Sequence, residues 1–149
     1  MASLTLDIQF LNRKTEIMKI ANYYLLTDIV SVLQVVSVDE SREVAKTWPN
    51  IDTSVRPVIR KYLVPEFHNL TEESQGKFKD SLAYFLTTGN APFGDLLGNL
   101  EECPLPIGDN PIDFFKWLWE ELFPGEDYHV STEGWKVDNQ WQASLTRKA

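Results

Sequence analysis

Cysteine, histidine and carboxylate placement decides first whether this chain can do covalent or acid–base chemistry. Cys103 is the only cysteine, and His68 and His129 are the only histidines. A thiol nucleophile needs a base within hydrogen-bond reach. Cys103 instead precedes Pro104 in a Pro/Gly-rich stretch, and both histidines are distant in sequence. The serines lack a G-x-S-x-G elbow, and neither G-x-x-x-x-G-K-[ST] nor G-x-G-x-x-G occurs. Three scattered His/Cys side chains do not make a zinc set. Glu101-Glu102 and Gly125-Glu126-Asp127 lack the alternating oxygen ligands of a calcium loop. Asp109 and Asp113 are four residues apart, so on a helix they share a face and like-charge repulsion would raise one pKa. Glu120 and Glu121 are adjacent and do not face each other. This pattern calls for no catalytic residue, no cofactor and no metal ligand.

Recognition chemistry is better represented. Between Asp109 and Tyr128 the chain carries Phe114, Phe115, Trp117, Trp119 and Phe123, interleaved with Asp113, Glu120, Glu121, Glu126 and Asp127. Buried aromatics in a helix are ordinary core. Yet so many rings on a 13-residue helix exceed what one small core accepts from one side. Aromatic anchors flanked by acids also suit a surface that meets a basic partner, where rings supply contact energy and charge orients the encounter. The residues expected to carry partner binding are Asp109, Asp113, Trp117, Glu120, Glu121, Glu126, Asp127 and Tyr128.

The charge distribution points the same way. The chain has 149 residues, 22 acidic and 14 basic, with a net charge of −8. Residues 1–89 hold 11 acids and 10 bases, whereas residues 90–149 hold 11 acids and 4 bases. The excess therefore belongs to the last 60 residues, a net of −7 against −1 for the rest. A field of one sign attracts cations and repels nucleic acid and anionic lipid, although acidity also serves solubility alone. A basic nucleic-acid binder, a disulfide scaffold and a low-complexity chain are excluded by composition. No apolar run approaches the roughly 18–20 residues of a membrane span, and the first ten residues lack a leader pattern. The expectation is a cytoplasmic protein with no nucleic-acid or membrane partner, compatible with a homo-oligomer.

Positioning these residues requires elements. Residues 3–11 alternate, with Leu4, Leu6, Ile8 and Phe10 opposite Ser3, Thr5, Asp7 and Gln9, which predicts a half-buried strand. Ile17, Ile20, Ala21, Tyr24 and Leu25, then Val32, Leu33 and Val36, predict a helix over residues 16–36. The β-branched run 29–38 favours a strand as the alternative. A short helix is expected over 40–47. Another opens at Thr53 or Ser54 with Pro57 in its first turn, and Pro65 kinks or ends it. Its Arg56, Arg60 and Lys61 are expected outward, balancing Glu66, Glu72 and Glu73. Thr71 caps the next helix, Phe78, Leu82, Phe85 and Leu86 line it, and Gly89 stops it. Residues 89–111 form a Pro/Gly-rich connection with one or two turns near Asp95. Asn110 and Pro111 then start the aromatic helix, 111–123, stopped by Pro124-Gly125. Residues 128–132 and 135–137 read as a weak hairpin able to pair with the N-terminal strand, and 139–149 as a frayed end.

The fold class expected is mainly α: one domain, 1–149, a bundle of four or five helices with a minor β element. Its core is placed at Ile20, Tyr24, Ile59, Leu63, Phe78, Leu82, Phe85, Phe115 and Trp119. The function expected is a non-enzymatic acidic protein-binding module, in its concrete form an inhibitor or immunity protein that neutralises a basic toxin or nuclease. The alternatives are an adaptor or regulatory subunit that binds through its N-terminal strand, and a carboxylate- or metal-dependent enzyme.

Overall fold

A computed structural model describes residues 19–35, 51–97, 110–140 and 143–149, the side chains of 34, 35 and 51–54 excepted. The architecture is mainly α with a two-stranded parallel sheet. In chain order the elements are β1 (Lys19–Ala21), α1 (Tyr24–Val30), a 3-10 turn (Ser31–Val35), α2 (Ile51–Val58), a π-helical turn (Ile59–Leu63), α3 (Val64–His68), α4 (Glu72–Thr88), α5 (Phe93–Leu97), α6 (Pro111–Leu122) and β2 (Trp135–Val137). The expected strand over 3–11, the helix over 40–47, Cys103, Asp109 and Trp141 lie outside the described residues.

α4 is the spine. Thr71 is its N-cap, with the hydroxyl accepting from the Ser74 amide, and Gly89 closes it at φ 70 in the left-handed region. Phe78, Leu82, Phe85 and Leu86 are buried along one stripe, as their spacing predicts. α6 begins at Pro111, where a missing N–H costs no helical bond. Asn110 occupies the N-cap position without a side-chain cap bond. Phe114, Phe115, Leu118, Trp119 and Leu122 are buried, and Phe123 beyond the helix joins them. Fully burying one such ring stabilises the fold by roughly 1.5–3 kcal/mol. The aromatic helix is therefore chiefly core, with Phe93 of α5 against Phe115 at 5.2 Å and Phe67 of α3 edge-on to Phe123 at 5.3 Å.

The residues between Ile51 and His68 run helically without a break, through a π turn. Helix α2 starts at Ile51, ahead of the expected Thr53 or Ser54, so Pro57 lies inside it. Pro65 neither ends the run nor stays regular. It has no N–H for the Lys61 carbonyl and its ring crowds that oxygen. The chain accommodates this by an i to i−5 bond, Val64 N–H to Ile59 O, which widens the turn.

Four further expectations are corrected. Within the helix expected over 16–36, the described residues 19–35 form instead β1, a turn, α1 and a 3-10 turn. Asn22 breaks the run: its amide donates to Ser81 Oγ at 3.1 Å and its Oδ1 accepts from the Tyr24 amide at 2.9 Å, so neither backbone can extend a helix back through it. Ile20, expected in the core, is 52% exposed, because alternation on a strand turns it away from buried Ala21. The β-branched run stays helical through Val30 and 3-10 through Val35.

The hairpin is not formed. β2 pairs in parallel with β1, Lys19 to Trp135, Ile20 to Lys136 and Ala21 to Val137. The backbone of 128–130 is satisfied by Thr87 instead, whose hydroxyl donates to Tyr128 O and accepts from Val130 N, both at 3.2 Å. Nor are residues 143–149 frayed. Leu145 is buried, and Arg147 joins Asp28 and Glu66.

Candidate functional site

Helix α6 and the turn after it carry seven of the eight residues expected to bind a partner; Asp109 lies outside the described residues. At about 3.6 residues per turn, positions 113, 117, 120 and 121 fall on one flank of α6. Trp119, two residues from Trp117, points to the opposite side, into the core beside α4. Asp113 and Trp117 are half-buried, and Glu120 is exposed. Trp117 rests one side against the core cluster.

The acids on this flank differ in what they already hold. Arg56 of α2 meets both Glu120 and Glu121, with its second contact to Glu121 at 3.7 Å. Arg60 donates to Glu121 at 2.9 Å. Glu121 is 15% exposed and shared by two guanidinium groups, so it is the more committed of the pair. Asp113 has no cationic partner among the described residues. It sits in the first turn of α6, where the helix dipole favours a negative charge.

Past the helix end the remaining three residues form a separate group. Trp119 Nε1 donates to Glu126 O at 2.7 Å and draws the 124–126 turn back onto α6. Lys79 of α4 reaches Glu126 at 2.8 Å and lies 4.7 Å from the centre of the Phe123 ring. This buttress is both an ion pair and a cation–π contact. Asp127 accepts from the His129 amide at 3.0 Å and pairs with its ring Nδ1 at 2.6 Å. The amide bond, and then the ring bond, hold the Asp127 carboxyl below the usual aspartate range. Tyr128 stacks on His129 at 4.4 Å and meets Trp119 edge-on at 6.4 Å.

The expected eight-residue surface is thus two groups. Asp113, Trp117, Glu120 and Glu121 share a flank of α6; Glu126, Asp127 and Tyr128 belong to the turn against α4. The basic helix face expected outward is the first group's internal counter-charge: Arg56 and Arg60 meet Glu120 and Glu121, rather than Glu66, Glu72 and Glu73. Lys77 does pair with Glu73, at 3.3 Å. Sequence reasoning missed the Asp28–Arg147–Glu66 set, whose only signal is the charge of its members.

His68 and His129 are exposed and on different elements. Among the described residues no group of three or more His, Cys, Asp or Glu could hold a metal ion, and no helix is long and apolar enough to cross a membrane. No protein-family model matches the chain, and neither the curated proteins nor the solved structures contain a match to it.

Proposed function

We propose that this chain is a non-enzymatic protein-binding module, and that the flank of α6 bearing Asp113 and Trp117 engages a basic protein. The observation that carries this reading is the pairing of a partly exposed tryptophan with an aspartate one turn away that has no cation of its own among the described residues. A partner lysine or arginine at Asp113 adds an ion pair without breaking one, while Trp117 offers a rigid anchor. Glu120, exposed and held from one side by Arg56, adds negative potential at the edge. Glu121 and Glu126 act as structural counter-ions in this reading, and Asp127 and Tyr128 are peripheral. Its concrete form is an inhibitor of immunity type that neutralises a basic toxin or nuclease, supported by the size and acidity of the chain. A cytoplasmic location belongs to the same proposal.

The test is site-specific photocrosslinking in the native host, with the photoreactive residue at position 113, 117 or 126. Capture of one basic protein from 113 and 117, but not from 126, and weakening at high salt, supports the reading. An acidic partner, salt-independent capture or capture from 126 alone overturns it.

One observation favours a second reading, an adaptor or regulatory subunit that docks on an uncovered face of the small sheet; the N-terminal strand over 3–11 expected for that role lies outside the described residues. Parallel sheets are ordinarily covered on both faces, yet β1 and β2 expose Ile20 and Val137, at 52% and 44%. In that reading Ile20→Lys abolishes the complex and Trp117→Ala leaves it intact.

A further inference from the structure

Residues 143–149 are held the way a protein holds a peptide. The segment has no helix and meets the rest of the fold in extended form, antiparallel to the link between α3 and α4, with Leu70 opposite Arg147. Its backbone bonds all go to groups outside the segment or to its own arginine. The Thr71 amide donates to Thr146 O at 2.9 Å, and the Lys148 amide donates to Asn69 O at 2.8 Å. The Thr146 amide donates to Ser74 Oγ at 2.8 Å, and the Leu145 amide donates to Asp28 Oδ2 at 2.7 Å. Two side chains give it register. Leu145 is buried in the core cluster. Two residues on, the Arg147 fork spans Asp28 of α1, at 3.0 and 3.2 Å, and Glu66 of α3, at 2.9 Å.

We propose that this slot is a peptide-binding site for an extended segment with an apolar residue two positions before an arginine, and that residues 143–149 are its internal occupant. Main-chain bonds supply affinity and two pockets supply specificity, as in strand addition to an edge. Charge dictates the ligand. With the strap lifted, Asp28 and Glu66 face one slot with no other cation paired to them among the described residues, so the slot favours a cationic side chain and disfavours an anionic one. The two carboxylates on different helices fit the planar fork of arginine better than the point charge of lysine. The strap then competes with an external segment, and its attachment to the chain gives it the advantage of an intramolecular ligand. The slot shares no residue with the α6 flank, so either site can fail its test while the other passes.

Two measurements on the full chain decide this. The first uses Arg147→Glu, which places a carboxylate between Asp28 and Glu66 and expels the strap. A capped, fluorescent heptapeptide of sequence ASLTRKA binds that variant saturably, and binds the unaltered protein about tenfold more weakly. The same peptide with alanine for arginine binds neither. The second is native-state hydrogen exchange of the unaltered protein. The amides of Thr71, Leu145, Thr146 and Lys148 open together, ahead of those of Leu82 and Leu118. Absence of saturable binding to a variant with intact helical circular dichroism overturns the proposal, and so does equal binding of the alanine peptide. Should Arg147→Glu lose its helical signal, exchange decides alone: strap amides that open only with global unfolding overturn the proposal, and earlier opening sustains it.

Discussion

Glu120 and Glu121 are neighbours of the same type with different work, because burial and partners differ. Glu121 holds two arginines and is mostly covered; Glu120 holds one and is 56% exposed. Glu121→Gln should therefore destabilise the fold by about 1 kcal/mol, and Glu120→Gln by less than about 0.5 kcal/mol, read from urea unfolding midpoints. Equal losses would place the two acids in equivalent surroundings. Asp127 makes a prediction in pH. Its carboxyl is held below its ordinary 3.8 by the His129 amide and ring. A depressed acid stabilises the fold above its unfolded pKa, and that contribution disappears as pH falls through the lower folded value. An NMR titration of the Asp127 carboxyl should have its midpoint below that of a free aspartate. A midpoint at or above 3.8 would mean that the turn at 127–129 is not formed in solution.

At the scale of elements, what is local in cause was legible and what is distant was not. α4 could be read at both ends because Thr71 and Gly89 act on their own neighbours, and α6 because Asn110-Pro111 and Pro124-Gly125 bracket it. β1 could not. Residues 17–25 carry helical spacing, and what makes 19–21 a strand is β2, more than a hundred residues away. Separation in sequence likewise hid the counter-ions of α6 on α2 and the π turn, 64 and 61 residues away, and the place of Leu145 and Arg147. The split of α6 between core and flank gives a clear contrast. Phe115→Ala should cost about 3–5 kcal/mol, because a fully buried ring leaves a cavity. Trp117→Ala should cost about 1 kcal/mol, since one side of that ring is already in solvent. Similar losses would make α6 a core element on all sides. Gly89→Ala should cost about 1 kcal/mol by forcing a side chain into the left-handed turn that ends α4.

For the whole molecule, charge looks different along the chain and in space. The last 60 residues carry nearly all of the net charge of −8. Folding lays Glu120, Glu121 and Glu126 onto Arg56, Arg60 and Lys79 of the near-neutral part, and lays Arg147 onto Asp28 and Glu66. Three of the eleven acids in those last 60 residues, and one of their four bases, are therefore paired with distant parts of the chain. The reading of a basic partner narrows to Asp113, Trp117 and the exposed side of Glu120. The most direct measurement is photocrosslinking from positions 113, 117 and 126 in the native host, at low and high salt. The account predicts a single basic protein captured from 113 and 117, fading as salt rises. Capture only from 126, an acidic partner or indifference to salt would contradict it.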